Sequence, residues 1–214
     1  VYNNWSLQIY DRARNMKVDP VALYKQQSRK SVRLQQFKSI IAGYEEFKSM
    51  ETPTGQRTPD RLDFTDMVER YITDGLVIPF KVLMVDEAQD LTPLQWDMVV
   101  KIAKFVDRVY IAGDDDQAIY GWAGADVARF QKEKAKDIVL PQSYRVPKAV
   151  QTLANCILER IPDDRKLAKM WQPREDDGYV QRVIAIEDVP LEKGKWLILG
   201  RTHSKLESLK ESLR

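Results

Sequence analysis

Between Lys81 and Leu140 the chain repeats one pattern: a short apolar run, a polar loop, then a helical stretch. No other feature restricts the fold as much. KVLMV (81–85) is an apolar run closed by acids, as a buried strand of a parallel sheet reads. TPLQWDMVVKIAKF (92–105) follows, with Thr92 as an N-cap and Pro93 at the first helical position. RVYIA (108–112) predicts a second strand and hands the chain to Gly113. DIVL (137–140) predicts a third, followed by a helix from Pro147 to about Arg160. YVQRVIAI and WLILG predict two more strands, and a final helix starts near Ser204. Repeated βα units imply an α/β fold with a mainly parallel sheet and flanking helices. Ligands of such sheets collect beyond the carboxyl ends of the strands.

Upstream the texture is helical. From Pro20 to about Met50, Phe37, Ile40, Ile41, Tyr44 and Phe47 recur at spacings of three and four. ETPTGQRTPD (51–60) is a breaker cluster and reads as a loop or subdomain boundary. Asp63 is placed to cap a helix through roughly Thr73, closed by Gly75. Residues 1–50 carry nine Lys/Arg against four acids, an excess of five that suits either nucleic-acid phosphates or a solvated helix face. Hydrophobic residues make up 43% of the 214 residues and charged residues 31%, with no run of 18 apolar residues. The first residues show no secretory pattern. The one cysteine, Cys156, reads as an inert core residue and fits a reducing, cytoplasmic setting. A chain opening on Val rather than Met carries the expectation of an upstream piece.

Three stretches carry chemistry. VLMVDEAQD sets Asp86 and Glu87 directly after a hydrophobic strand, where adjacent carboxylates are costly unless a cation or donor meets them. In nucleotide hydrolases the first such acid serves the Mg²⁺ shell and the second orients or deprotonates the attacking water. Gln89 and Asp90 add polar reach at the same edge. GDDDQAIYGWAGAD (113–126) has the same strand-then-acidic-loop design one strand further on. Its neutral Gln117 can hydrogen-bond a terminal phosphate and a lytic water. Tyr120 and Trp122 are flat and polar-edged, suited either to stacking on bases or to core packing. LPQSYRVPKAVQTLAN sets Tyr144 and Arg145 just before a helix. Such an arginine can stabilise charge on a transferred phosphoryl group or can simply be a surface residue.

Taken in order, these strings resemble the UvrD/Rep/PcrA family of superfamily 1 DNA helicases over approximately residues 60–214. LDFTDMV (62–68) is similar to the segment before the family's Walker B strand, VLMVDEAQDLTPLQ to motif II, GDDDQAIYGWAGAD to motif III and LPQSYRVPKAVQTLAN to motif IV. KMWQPREDDGYVQRV and WLILGRTHSKLESLKESL resemble the start of the second motor domain. The resemblance implies RecA-like motor domains that bind ATP and Mg²⁺ and move 3′ to 5′ on single-stranded DNA, including ssDNA/dsDNA junctions. It implies Asp86 as the Mg²⁺ ligand, Glu87 as the base toward water, and Gln117 as the link between γ-phosphate and DNA. Tyr120 and Trp122 would contact bases, Tyr144 would pack on adenine, and Arg145 would act as the finger. Residues 1–60 would be part of an accessory subdomain, 61–139 the later part of the first motor domain, and 140–214 the start of the second.

Some positions depart from the family pattern: Ala123 where Arg is frequent, Ser143 where Asn is usual, and His203 where Asn is common. A phosphate-cradling G-x-x-x-x-G-K-[ST] loop does not occur, because the one Gly-Lys pair, Gly194-Lys195, is followed by Trp196. The expectation is an internal piece of a motor that does not turn over ATP by itself. The alternatives are a non-catalytic DNA- or partner-binding module on the same fold, or the helicase part of a helicase-nuclease.

Overall fold

A computed structural model describes residues 4–28, 30–49, 61–75, 79–132, 136–161, 169–185, 188–200 and 202–212. The breaker cluster at 51–60 lies outside the described residues, as does the side chain of His203. The chain divides into two compact units, Val1–Ala135 and Lys136–Arg214.

The first unit holds α1 (Trp5–Asn15), α2 (Pro20–Gln26), α3 (Leu34–Ser49), α4 (Phe64–Asp74), β1 (Val82–Val85), α5 (Pro93–Ala103), β2 (Arg108–Ile111) and α6 (Val127–Lys132). The helical stretch expected from Pro20 to Met50 is two helices, not one. Tyr24 explains the break: it stacks on Phe37 at 4.5 Å, and its hydroxyl donates to the Val32 carbonyl at 2.7 Å, holding the turn between α2 and α3. Ile9, Ala13, Leu23, Tyr24 and Phe37 form the core of this helical part.

Helix α4 begins as expected. Asp63 and Asp66 make a reciprocal capping box, each side chain accepting from the other's backbone N–H. Its other end stops at Gly75 as expected: from extended backbone at φ −61°, the Gly75 N–H donates to the Tyr71 carbonyl at 3.0 Å. Lys101 of α5 also donates to the Tyr71 and Ile72 carbonyls at 2.6 and 2.8 Å. That ammonium adds a partner for carbonyls at the helix end.

Strands β1 and β2 pair in parallel, with Val82 opposite Arg108 and Val85 opposite Ile111. Leu83, Val85 and Ile111 pack on Ala88, Trp96 and Val99, so α5 covers one face of the sheet. The alternate residues Val82, Met84 and Tyr110 are exposed, as period-two geometry requires when a single face is covered. Thr92 and Gln95 form the second capping box, and Pro93 opens α5 as its composition predicts.

An ion cluster joins α1, α3 and α4. Arg14 bonds Asp63 at 2.9 Å, Asp66 at 2.5 Å and Glu69 at 2.6 Å, and Lys48 bonds Asp66 at 2.8 Å and Glu45 at 2.8 Å. The Arg14 and Lys48 side chains are only 10% and 8% exposed. Burial raises the Asp66 carboxyl, but hydrogen bonds from Lys48 and the Asp63 amide, with the Arg14 charge, outweigh it and bring it down to about 2. Burial and then the Glu45 hydrogen bond push the Tyr10 hydroxyl up to about 12; burial and the Asp63 charge do the same to Tyr44. The positive excess of residues 1–50 is therefore partly spent inside the molecule: Arg14 and Lys48 meet acids here, and Lys17 pairs with Asp97.

The second unit holds α7 (Lys148–Leu158) and α8 (His203–Ser212), close to the expected helices. The strands expected at DIVL (137–140), YVQRVIAI and WLILG are not strands among the described residues, where β1–β2 is the only sheet. A strand exists only where a neighbouring strand takes up its N–H and C=O groups, and among the described residues none pairs with these runs. Ile184 is fully exposed at 100%, and Leu140 and Leu199 are exposed as well. Cys156 is exposed rather than a core residue, on the α7 face where Leu153 and Ile157 are also exposed among the described residues.

Candidate functional site

Parallel pairing ends both strands at one level, so the chain leaves β1 at Asp86 beside the point where it leaves β2. Two bonds carry the pairing one step further: Ala112 N–H to the Val85 carbonyl at 2.7 Å and Ala88 N–H to the Ala112 carbonyl at 3.0 Å. The two acidic loops predicted to share a cleft are thus neighbours at the carboxyl edge of the sheet.

Asp86 and Glu87 are exposed, and the Asp86 carboxylate accepts from the Glu87 N–H at 2.9 Å. Glu87 sits in the left-handed region at φ 51°, ψ 40°. Non-glycine residues rarely hold that conformation unless surrounding bonds enforce it. The Glu87 carbonyl accepts from the Asp90 N–H at 3.0 Å, and beneath it lies Gln89, 1% exposed, whose Nε2 donates to Glu87 Oε2 at 2.8 Å while its Oε1 accepts from the Asp114 N–H at 3.0 Å. Burial, followed by the charge of Glu87, raises the Asp90 carboxyl above the ordinary range.

The loop after β2 is internally braced. Asp114 accepts from the Asp116 N–H at 3.2 Å and from Gln117 Nε2 at 2.7 Å, capping a 3-10 turn over Asp115–Gln117. Asp114, Asp115 and Asp116 bring ligand oxygens within 4.8 Å of one another, the one such group of three among the described residues. A second 3-10 turn, Gly121–Ala123, ends at Gly124 with φ 105°. A Cβ at Gly124 would lie 2.7 Å from Met16 Cγ, so α1 packs directly on this loop. The Asp126 N–H donates to the Leu91 carbonyl at 2.8 Å, tying the end of the loop back to the first acidic segment. Between these anchors Tyr120 and Trp122 stand 45% and 70% exposed, ring centroids 6.4 Å apart and planes inclined at 49°. Neither is a core residue.

Tyr144 and Arg145 belong to the second unit, and both side chains are exposed. Their loop is fixed by Ser143, whose Oγ accepts from the Val146 N–H at 3.0 Å, and by main-chain bonds such as Ser143 N–H to the Gln172 carbonyl at 2.8 Å. The first unit therefore gathers Asp86, Glu87 and Gln117 at one sheet edge, with Tyr120 and Trp122 on the same loop as Gln117.

The sequence pattern of the UvrD/REP helicase N-terminal domain matches residues 4–137. The chain belongs to the UvrD/Rep helicase family. Its similarity to individual members is moderate. It is 30% identical over 136 residues to the ATP-dependent DNA helicase PcrA of Staphylococcus epidermidis, covering 57% of this chain and 18% of that protein. It is 32% identical over 126 residues to PcrA of Staphylococcus aureus, covering 52% of this chain and 17% of that protein. The chain thus spans less than a fifth of the length of these relatives. The UvrD/Rep match extends through the helical segment before residue 60, where sequence reading found no motif.

Two residues, one in each unit, were not legible as more than bystanders. Gln89 read as polar reach, yet it is among the most buried side chains; its place in a 3-10 turn beneath the acids is the signal that would have found it. Ser143 read as a departure from the family, yet its hydroxyl does the local capping that the turn requires.

Proposed function

We propose that this chain is part of an ATP-dependent DNA helicase or translocase, in which ATP hydrolysis is coupled to movement 3′ to 5′ along single-stranded DNA. The observation that carries the reading is the bonded path Glu87–Gln89–Asp114–Gln117, which joins the two acidic loops at the sheet edge. It supports a RecA-like arrangement in which a water-activating acid and a phosphate-sensing amide are held in one frame.

Asp86 suits Mg²⁺, which takes hard oxygen donors, keeps several waters, and is usually held by one or two carboxylates plus substrate phosphates. An exposed carboxylate at a strand end meets those demands. When bound, the ion supplies neutralisation of phosphate charge. Glu87 then orients or deprotonates the attacking water, and Gln117 senses the terminal phosphate. In the second unit, Tyr144 packs on adenine and Arg145 stabilises charge on the transferred phosphoryl group. Exposed Tyr120 and Trp122, on the loop that carries Gln117, stack on bases of single-stranded DNA or of an ssDNA/dsDNA junction.

Glu87→Gln in the complete protein is the test. ATP turnover should be nearly abolished while nucleotide binding survives, and normal turnover would remove Glu87 from the base role. Residues 1–214 alone, without a phosphate-cradling glycine loop, should show negligible DNA-stimulated ATPase.

A further inference from the structure

The amide of Gln89 faces the Asp114 N–H on one side and the Glu87 carboxylate, with Asp90 at 3.4 Å, on the other, and their chemistry leaves it one orientation. A backbone N–H only donates, so the atom 3.0 Å from the Asp114 nitrogen must be Oε1. The atom 2.8 Å from the Glu87 carboxylate must then be the donating Nε2. The side chain is 1% exposed, so neither bond has water as a ready substitute. Glu87 is held at φ 51°, a conformation with little intrinsic stability for a glutamate. Gly113 completes the arrangement: a Cβ there would stand 2.6 Å from Gln89 Oε1 and 3.2 Å from the Ala88 nitrogen. The loop can approach the amide only because residue 113 has no side chain.

We propose that Gln89 is a positioning residue: it clamps the Glu87 carboxylate to the backbone of the Asp114 loop, so that Glu87 and Gln117 are placed as one unit. This rests on the reading of Glu87 as the water-activating group. Asp114 transmits the clamp, since its carboxylate accepts from Gln117 Nε2 at 2.7 Å. The neutral amide matters because Asp86, Asp90 and Asp114 already surround Glu87 in the sequence-adjacent and facing loops. A further charge at position 89 would push the carboxylate away rather than hold it. Without the clamp, Glu87 relaxes from the left-handed conformation and its carboxylate leaves the position that turnover requires.

The complete protein carrying Gln89→Met keeps the side-chain length and loses the bonds to Glu87, Asp90 and the Asp114 N–H. Its kcat for DNA-stimulated ATP hydrolysis should fall roughly ten- to a hundredfold, as expected for a displaced catalytic group. The KM for ATP and the affinity for a non-hydrolysable ATP analogue should stay within about twofold, since ground-state binding is not what is lost. Without nucleotide, hydrogen exchange at the Asp114 amide should accelerate in the same variant. Gln89→Glu keeps the acceptor for that amide and should restore its protection without restoring kcat. Gly113→Ala, which crowds the amide without altering it, gives the same split more weakly and decides the matter if Gln89→Met does not fold. A folded Gln89→Met or Gly113→Ala protein with unchanged kcat overturns the proposal, as does recovery of kcat in Gln89→Glu. If Glu87→Gln is inert while these variants are normal, positioning by Gln89 alone is wrong. If Glu87→Gln turns over normally, the base reading and this proposal fall together.

Discussion

The cluster around Arg14 and the path through Gln89 both remove polar atoms from water within the first unit, but by opposite means. Around Arg14 two cations and four acids offset one another across three helices. Around Gln89 one neutral amide bridges the Glu87 and Asp90 carboxylates and a backbone N–H. A charge cluster holds strongly but is intolerant of losing one member, because the remaining charges stay buried and unpaired. A neutral amide holds more weakly yet adds no charge at an edge where a phosphate chain is proposed to arrive. The helices are joined by charge, and the acidic loops are joined without it.

The largest effect should come from breaking the charged network. Arg14→Ala should cost ~3–5 kcal/mol in urea unfolding, the usual penalty for orphaning buried charges. A loss below ~1 kcal/mol would mean that the cluster behaves like a solvated surface pair. The same network should set the acid limit. Asp66 lies at about 2 against an ordinary 3.8, so its contribution is complete above 3.8 and lost as pH falls toward 2. Tyr10 and Tyr44 have the opposite sign: raised to about 12, they contribute fully below their ordinary 10.0 and stop contributing as pH rises through 12. Thermal melts across both windows check this, and a flat acid limb would contradict it.

A folded Gln89→Met variant should lose less, ~1–3 kcal/mol, the cost of leaving buried groups unsatisfied rather than unpaired charges. If its loss equals that of Arg14→Ala, the contrast between charged and neutral networks fails. Trp122→Ala should leave stability nearly unchanged, because the ring is 70% exposed, while weakening single-strand binding by ~1–3 kcal/mol. Unchanged affinity in a fluorescence titration would take Trp122 out of the DNA interface. The smallest effect is Tyr10→Phe, which removes the 2.9 Å hydrogen bond to Glu45 and should cost ~1 kcal/mol. It should also soften the alkaline limb, and an unmoved limb would assign that limb elsewhere.

Local pattern was enough wherever a few adjacent residues carried their own structural instruction. The Thr92-Pro93 start of α5, the Asp63 cap of α4 and the two strands ending at Asp86 and Gly113 were all readable that way. The apolar runs at 137–140, 179–185 and 196–200 carried the same strand signal without the same outcome among the described residues. Strand propensity states a willingness to pair, whereas pairing needs a neighbour from elsewhere in the fold. Cys156 misled for a related reason: an amphipathic helix shows which face is apolar, not whether anything lies against it.

The order of residues alone therefore established the family resemblance, the acidic strand ends and most helix starts, all of which depend on neighbours within a few positions. Contacts between distant segments assigned the rest. They turned Arg14 and Lys48 from surface charge into a buried joint and left Tyr120 and Trp122 in the open. They also brought Gln89 from beneath one loop onto the backbone of another. Such partners are 18 to 55 positions apart in the chain, and only folding brings them within hydrogen-bonding distance.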